Sequence, residues 1–293
     1  MNSSQANREL KRLLNRADLI WKKQSYQNEA RVLIAYKTAL NEIKNKIASL
    51  YEKYGSFSET ELRKFNRLTS LHEQLTTQIK DLTGISVNTM SQNFRRAFKD
   101  SFTMTGGAIE KATKLNLGFN ILPKEALKYA MEDNLWLDSL KIHNAKLLAD
   151  VKREIETALR TNARQEVISG LSQGKPYGQV AKAIEKRFNV AATRARVIAQ
   201  TETHKAQSRG RLAGIDRAND SAQRLGIETE KVWKHNDIGK PRIDHLQADG
   251  MVADKDGMFN VGGEMMEAPG LGSDPANNIH CHCSAQFQVK GLQ

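Results

Sequence analysis

Hydrophobic positions in the first two-thirds of the chain recur at steps of three and four residues, the spacing of one helix face. The clearest run is Tyr36, Leu40, Ile43, Ile47, Leu50 and Tyr54, stepping by 4, 3, 4, 3 and 4. Residues 5–28 carry a sparser set, Leu10, Leu13, Leu14, Leu19, Ile20 and Trp21, enough for a short amphipathic helix of their own. Gly55 is placed to stop the sharper helix, and Ser58 with Glu61 makes a capping box for the next. That next helix buries Leu62, Phe65, Leu68, Leu71, Leu75, Ile79 and Leu82 and ends at Gly84, so the two predict an antiparallel helical hairpin. A third helix over about 86–103 aligns Val87, Met90, Phe94, Phe98 and Phe102, with Thr105-Gly106-Gly107 as its break.

Beyond an irregular stretch around Gly118, Pro123 is suited to the first turn of a helix over about 123–134. The longest helix is expected from Asp138 to about Leu171, with Leu140, Leu147, Val151, Ile155 and Leu159 as its stripe. Gly170, Gly174 and Pro176 predict a loop up to Gly178. A short helix with Val180, Ile184 and Phe188 follows, and then a longer one from Ala191 to about Leu212. The last carries Thr201-Glu202-Thr203-His204. Such residues compete with the helix for backbone hydrogen bonds, so a tertiary partner for Thr201 or Glu202 is expected. Packing against the C-terminal segment is a better reason for them than catalysis.

From Glu228 the period changes. V-W-K and M-F-N-V are strand-like pieces between turn signals at Gly239-Lys240-Pro241, Asp249-Gly250, Asp256-Gly257, Gly262-Gly263 and Pro269-Gly270. Ser284 to Val289 reads as a closing strand. The fold class is therefore mainly α, with long helical hairpins in the N-terminal two-thirds and a small α+β C-terminal module. The expected division is residues 1–170 and 171–293.

Charge sharpens this division. The net charge is +12, and residues 1–220 hold 38 of the 45 basic side chains against 23 of the 33 acidic ones. A basic helical body suits DNA backbone or an acidic protein surface, or is simply a solvated Lys-rich face. Aromatic residues make up 6% and do not interleave with the basic ones, which argues against base stacking. No apolar run reaches the length of a membrane span, and the N-terminus lacks a signal-peptide core. The expected compartment is cytoplasmic, with no membrane partner.

The module holds the candidate chemistry: four of the seven histidines (His235, His245, His280, His282) and both cysteines. Cys281-x-Cys283 is too tight for an ordinary disulfide. With His245 it makes a candidate zinc site, the fourth ligand open among His282, His280, Asp237 and Asp244. Otherwise the cysteines are small buried hydrophobes. Asp244-His245, Asn277/Asn278 and His282 also follow the order of ββα-metal nucleases, but the helix that should carry the last histidine is missing. For most of His235, Asp237, Arg242 and His245, a salt-bridged and hydrogen-bonded turn that holds the module together is the expected role. No catalytic constellation stands out, so an enzyme is not expected.

Taken in order, several pieces resemble the minor head protein family of tailed bacteriophages, also called Mu F-like or head-morphogenesis proteins. They are G-x-P-Y-x-Q-V-A-K-A-I, I-A-Q-T-E-T-H-K-A, Trp233, the loop with Asp237, Arg242, His245 and Gly250, then Phe259, Gly262-Gly263, Pro269 and Cys281-x-Cys283. The likeness covers about residues 165–287. Where the family has Asn-Cys-Arg-Cys, this chain has His280-Cys281-His282-Cys283, which adds two potential metal ligands. The resemblance implies a structural protein of the virion, made in the host cytoplasm. It would associate with the portal, and with major capsid or scaffolding protein, and help handle double-stranded DNA in packaging or ejection. Glu202, His245, Cys281 and Cys283 are the residues expected to hold the module together.

Overall fold

The computed structural model describes residues 2–54, 67–119, 122, 124–132, 135–169, 177–236 and 242–291. The order is α1 (Ser3–Tyr54), α2 (Arg67–Thr113), α3 (Lys124–Glu132), α4 (Leu135–Ser169), α5 (Tyr177–Arg224), β1 (Glu228–Lys234), α6 (Ile243–Gln247), β2 (Phe259–Val261), β3 (Glu264–Met266), α7 (Pro275–Asn278) and β4 (Ser284–Lys290). It is a mainly α protein with a small sheet-containing C-terminal part. Gly55, Ser58, Glu61, Leu62, Phe65, Pro123, Gly170, Gly174, Pro176, Asp237 and the turn at 239–241 lie outside the described residues, as does the expected boundary at 170.

The helices are fewer and longer than their punctuation suggests. α1 runs unbroken through residues 28 and 29, begun by Asn2, whose side-chain carbonyl accepts the Gln5 N–H at 3.0 Å. α2 runs through Gly84 and through Thr105-Gly106-Gly107, so neither is a break. At Gly106 the reason is packing, because a Cβ would sit 2.2 Å from the Phe119 ring. Glycine inside a helix costs only about 1 kcal/mol, which the buried stripe on either side offsets. α5 likewise joins the two helices expected after residue 178 and continues to Arg224. It ends at Gly226, whose φ of 70° lets Ile227 N–H return to the Ala222 carbonyl.

The chain forms two compact units. One comprises Ala30–Met90 and Leu135–Ile198. Its core is the predicted stripe, with Tyr36, Leu40, Ile43 and Ile47 of α1, Leu71, Leu75, Ile79 and Leu82 of α2, and Leu140, Leu147, Val151 and Ile155 of α4 all buried. Val180, Ile184 and Phe188 of α5 are buried too. Asn144 links three of the helices, accepting from Tyr36 Oη at 2.5 Å and donating to Thr83 Oγ1 at 2.9 Å. Glu42 accepts from Gln78 Nε2 at 3.1 Å, joining α1 to α2.

The other unit comprises Met1–Glu29, Ser91–Asn134 and Ala199–Gln293. Ala6, Leu10 and Leu14 of α1 share a core with Phe102, Ala108, Ile109 and Ala112 of α2, Ile215 and Ala218 of α5, and Ala285, Phe287 and Val289 of β4. Asn7 acts as a surrogate strand residue. Its side chain donates to the Val289 carbonyl at 3.0 Å and accepts the Val289 N–H at 2.9 Å. β1 pairs antiparallel with β4, Glu228 opposite Lys290 and Lys234 opposite Ser284. β2 and β3 form a hairpin over Gly262-Gly263, both at positive φ as such a tight turn needs. Among the described residues no helix is long and apolar enough to cross a membrane.

Candidate metal centre and the polar core beside it

The end of β1 and the start of β4 bring the module's histidines and cysteines together. Cys281 and Cys283, two residues apart just before β4, both place their sulfurs beside His245. His280, at φ 56°, supplies the turn that aims them inward. α6 is a single short helix begun by Arg242, and it buries His245 while leaving its other side chains exposed. The Arg242 guanidinium donates to the Ile279 carbonyl, tying α6 to the cysteine segment.

The result is a buried cluster. His245 Nδ1 lies 3.7 Å from Cys281 Sγ and 3.6 Å from Cys283 Sγ, and all three ligand atoms lie within 4.8 Å of one another. His235 joins from the end of β1, its Nδ1 3.7 Å from Cys283 Sγ. The two sulfurs share a hydrogen bond that pushes the Cys283 thiol well up and draws Cys281 down toward thiolate. Backbone N–H groups of Cys283 and Gly270 also point at Cys281 and favour its charge. Behind the cluster Trp233 is fully buried, edge-on to His245 (5.5 Å) and to Phe259 (5.4 Å). Val261 and Met266 complete this small core with both cysteines.

The other histidines of the segment lie elsewhere. His282 lines a cavity of about 340 Å³ together with His204, Trp21, Lys22 and Arg211. Burial and the neighbouring His204 and His280 hold it down to about 4. His280 faces Gln200 at 3.1 Å. Asp244 stands on α6 against the β2–β3 turn, its carboxylate next to Gly262. Asn277 donates to Glu264 and Asn278 bonds both ways with Gly272, so the asparagines of the nuclease pattern serve the α7 loop.

The Thr201-Glu202-Thr203-His204 stretch meets the module through His204 and through its neighbours Gln200 and Ser208. Glu202 pairs with Lys205 one turn on at 2.9 Å, and the buried Thr201 Oγ1 has no hydrogen-bond partner among the described residues. The contacts are made by Gln200 to His280, by His204 against Gly270, and by Ser208 Oγ donating to the Pro269 carbonyl at 2.6 Å. Gly270, at φ 81°, has no room for a Cβ, because the His204 ring would lie 2.6 Å from it.

Two residues without any sequence signal organise this region. Arg211 is 1% exposed, donates to the Ala285 carbonyl at 2.8 Å and Asp18 Oδ1 at 2.7 Å, and stacks 4.2 Å over the Trp21 ring. Asp18 also accepts from Ser284 Oγ at 3.1 Å and Lys234 Nζ at 3.4 Å. One carboxylate thus joins α1, α5, β1 and β4. The partners are 193 residues apart, and one arginine among many basic residues gives no pattern to find.

Residues 161–286 match the family described as Phage Mu protein F like protein. Over these residues, and through the relative described next, the chain is similar to phage minor head proteins. Among its relatives is Minor head protein GP7 of Bacillus phage SPP1, 26% identical over 269 residues, which span 90% of this chain and 83% of that one. A second is the NAD(+)–arginine ADP-ribosyltransferase EFV of Enterococcus faecalis, 28% identical over 134 residues. Those residues are 46% of this chain but only 27% of that protein. No solved structure matches.

Proposed function

We propose that this protein is a structural, non-catalytic minor head protein that associates with the portal and contacts packaged double-stranded DNA through its basic helical body. Its place is then the virion, after assembly in the host cytoplasm. The observation that carries the reading is the similarity to a phage minor head protein along 90% of the chain, through both the helical body and the module. The similarity to the ADP-ribosyltransferase takes in about a quarter of that protein, so it lends no support to a transferase reading. The charge distribution supports the DNA contact, since the excess of basic residues lies in 1–220 while the module is net acidic. Lys and Arg on solvated helices neutralise phosphates without reading sequence.

The test is co-purification with the portal protein of the same phage, at moderate salt and after nuclease digestion. The expected result is a complex of fixed ratio that survives gel filtration. Separation of the two proteins, each folded, would overturn the portal assignment. Duplex affinity, measured across a salt series, is expected to fall steeply and to ignore sequence.

A further inference from the structure

We propose that Cys281, Cys283, His245 and His235 hold a structural zinc ion at the centre of the C-terminal module. The distances favour a cation over hydrogen bonding alone. Zinc holds thiolate sulfur at about 2.3 Å and imidazole nitrogen at about 2.0 Å, so tetrahedral geometry separates sulfur from nitrogen by about 3.5 Å. Three of the four sulfur–nitrogen separations, those of His245 to both sulfurs and of His235 to Cys283, are 3.6, 3.7 and 3.7 Å. His245 Nδ1 is nearly equidistant from both sulfurs, whereas a single N–H proton can point well at one only. A cation placed among them serves His245 and both sulfurs at once, and His235 reaches the cluster at Cys283.

The donor chemistry agrees. Two thiolates and two neutral imidazoles balance a divalent charge in a buried place and are a soft, tetrahedral set of the kind zinc takes. Backbone N–H groups aimed at Cys281 Sγ are the outer contacts such a site uses to steady its thiolates. The need agrees as well. Apart from the cysteines, the buried cluster around the site is Trp233, Ala248, Phe259, Val261 and Met266, a small core for α6 and the β2–β3 hairpin. A metal is a common staple for so little apolar surface. The ligands come from the end of β1, from α6 and from the lead into β4, so one ion would fasten α6 to the paired strands β1 and β4.

The ligand set is specific and separates two neighbours. His235, whose Nδ1 lies 3.7 Å from Cys283 Sγ, is the fourth ligand, and His282 is not one. The full chain, purified without chelator, is expected to contain about one zinc per molecule by plasma mass spectrometry. Replacing the zinc with cobalt should give the strong visible bands of tetrahedral coordination and a thiolate charge-transfer band. His235→Ala should weaken cobalt affinity by more than the roughly 10–100-fold typical of losing an outer contact, and His282→Ala should leave it unchanged. The proposal is overturned by a wild-type protein that carries no zinc and gives no cobalt bands. It is equally overturned if His282→Ala abolishes binding while His235→Ala does not. Should the His235 variant fail to fold, thiol labelling of the wild type decides. Protection of both cysteines that chelator removes supports the site, and protection unaffected by chelator sinks it.

Discussion

Arg211 and Asp18 show how much one buried pair can hold. The arginine is 1% exposed, so its charge depends on the carboxylate and on the Ala285 carbonyl. Removing one partner of a buried pair typically costs about 3–5 kcal/mol, because the other charge stays behind uncompensated. Asp18→Ala is therefore expected to lower urea-unfolding stability by about that amount. The double variant Asp18→Leu with Arg211→Met should recover much of it. A loss below about 1 kcal/mol for Asp18→Ala would mean that Arg211 finds water or another acceptor. Glu264 makes the opposite kind of contact, open to solvent but saturated. It accepts from Asn277 Nδ2 at 2.6 Å, from Ser273 Oγ at 2.7 Å and from the Asp274 N–H at 2.9 Å, and these bonds hold its carboxyl down at about 2. A depressed carboxylate contributes stability above its unfolded value and loses it as pH falls through the folded one. Glu264→Gln should thus cost about 1–2 kcal/mol at neutral pH, after allowance for screening, and the gap to wild type should close between about pH 4.5 and 2. A gap that persists at pH 2 would point to lost packing instead of lost charge. At this scale the sequence made Cys281, Cys283 and His245 legible, since C-x-C and a nearby histidine are local features. His235 read only as part of a polar turn, because its approach to Cys283 depends on β1 pairing with β4, 48 residues away.

Helices as whole elements explain why punctuation misled where hydrophobic pattern did not. Most described positions of the stripes in α1, α2 and α4 are buried where their spacing predicts, although Leu50, Leu68 and Val87 are only half-buried, because burial of a continuous face is what selects the helix. Glycine is ambiguous. It marks a stop when the chain turns, but inside a helix it can mark a close crossing. Gly210 of α5 is such a crossing, where a Cβ would stand 2.3 Å from the Phe98 carbonyl oxygen of α2, a backbone atom that cannot swing aside. Ser101 Oγ donating to the Gln207 carbonyl at 2.6 Å fixes the same crossing. Gly210→Ala is expected to destabilise by about 1–3 kcal/mol through overpacking. Gly84 of α2 has nothing within 4 Å of its would-be Cβ, so Gly84→Ala should stabilise by roughly 0.5–1 kcal/mol. Thermal unfolding of the two variants, shifting in opposite directions, checks both. A matching sign would mean that glycine entropy alone governs both sites.

For the whole molecule the question is what folds as one body. Sequence periodicity changes at Glu228, and composition changes nearby, which suggests a C-terminal domain beginning after residue 170. Local pattern has no means of showing that a helix at the other end of the chain completes that domain's core. Yet Leu10 and Leu14, both buried, share a core with Phe287 and Val289, and Asn7 continues the hydrogen bonding of β4. Burying two leucines contributes about 3–6 kcal/mol, comparable to the whole stability of a small domain. Deleting residues 2–29 from the full chain should therefore expose β4 and loosen the module. Amide exchange of β1 and β4 would read this directly, with protection expected to fall by several orders of magnitude in step with that energy. A fragment spanning 171–293 is expected to need residues 1–29 and 91–134 supplied alongside it before its exchange slows. If that fragment instead folds by itself, zinc-loaded and with protected strands, residues 171–293 are an autonomous domain and α1 only leans on it. If the strands are protected only when the N-terminal helix is present, the two ends of the chain form one folding unit. Any portal contact made by the module would then depend on an intact N-terminus.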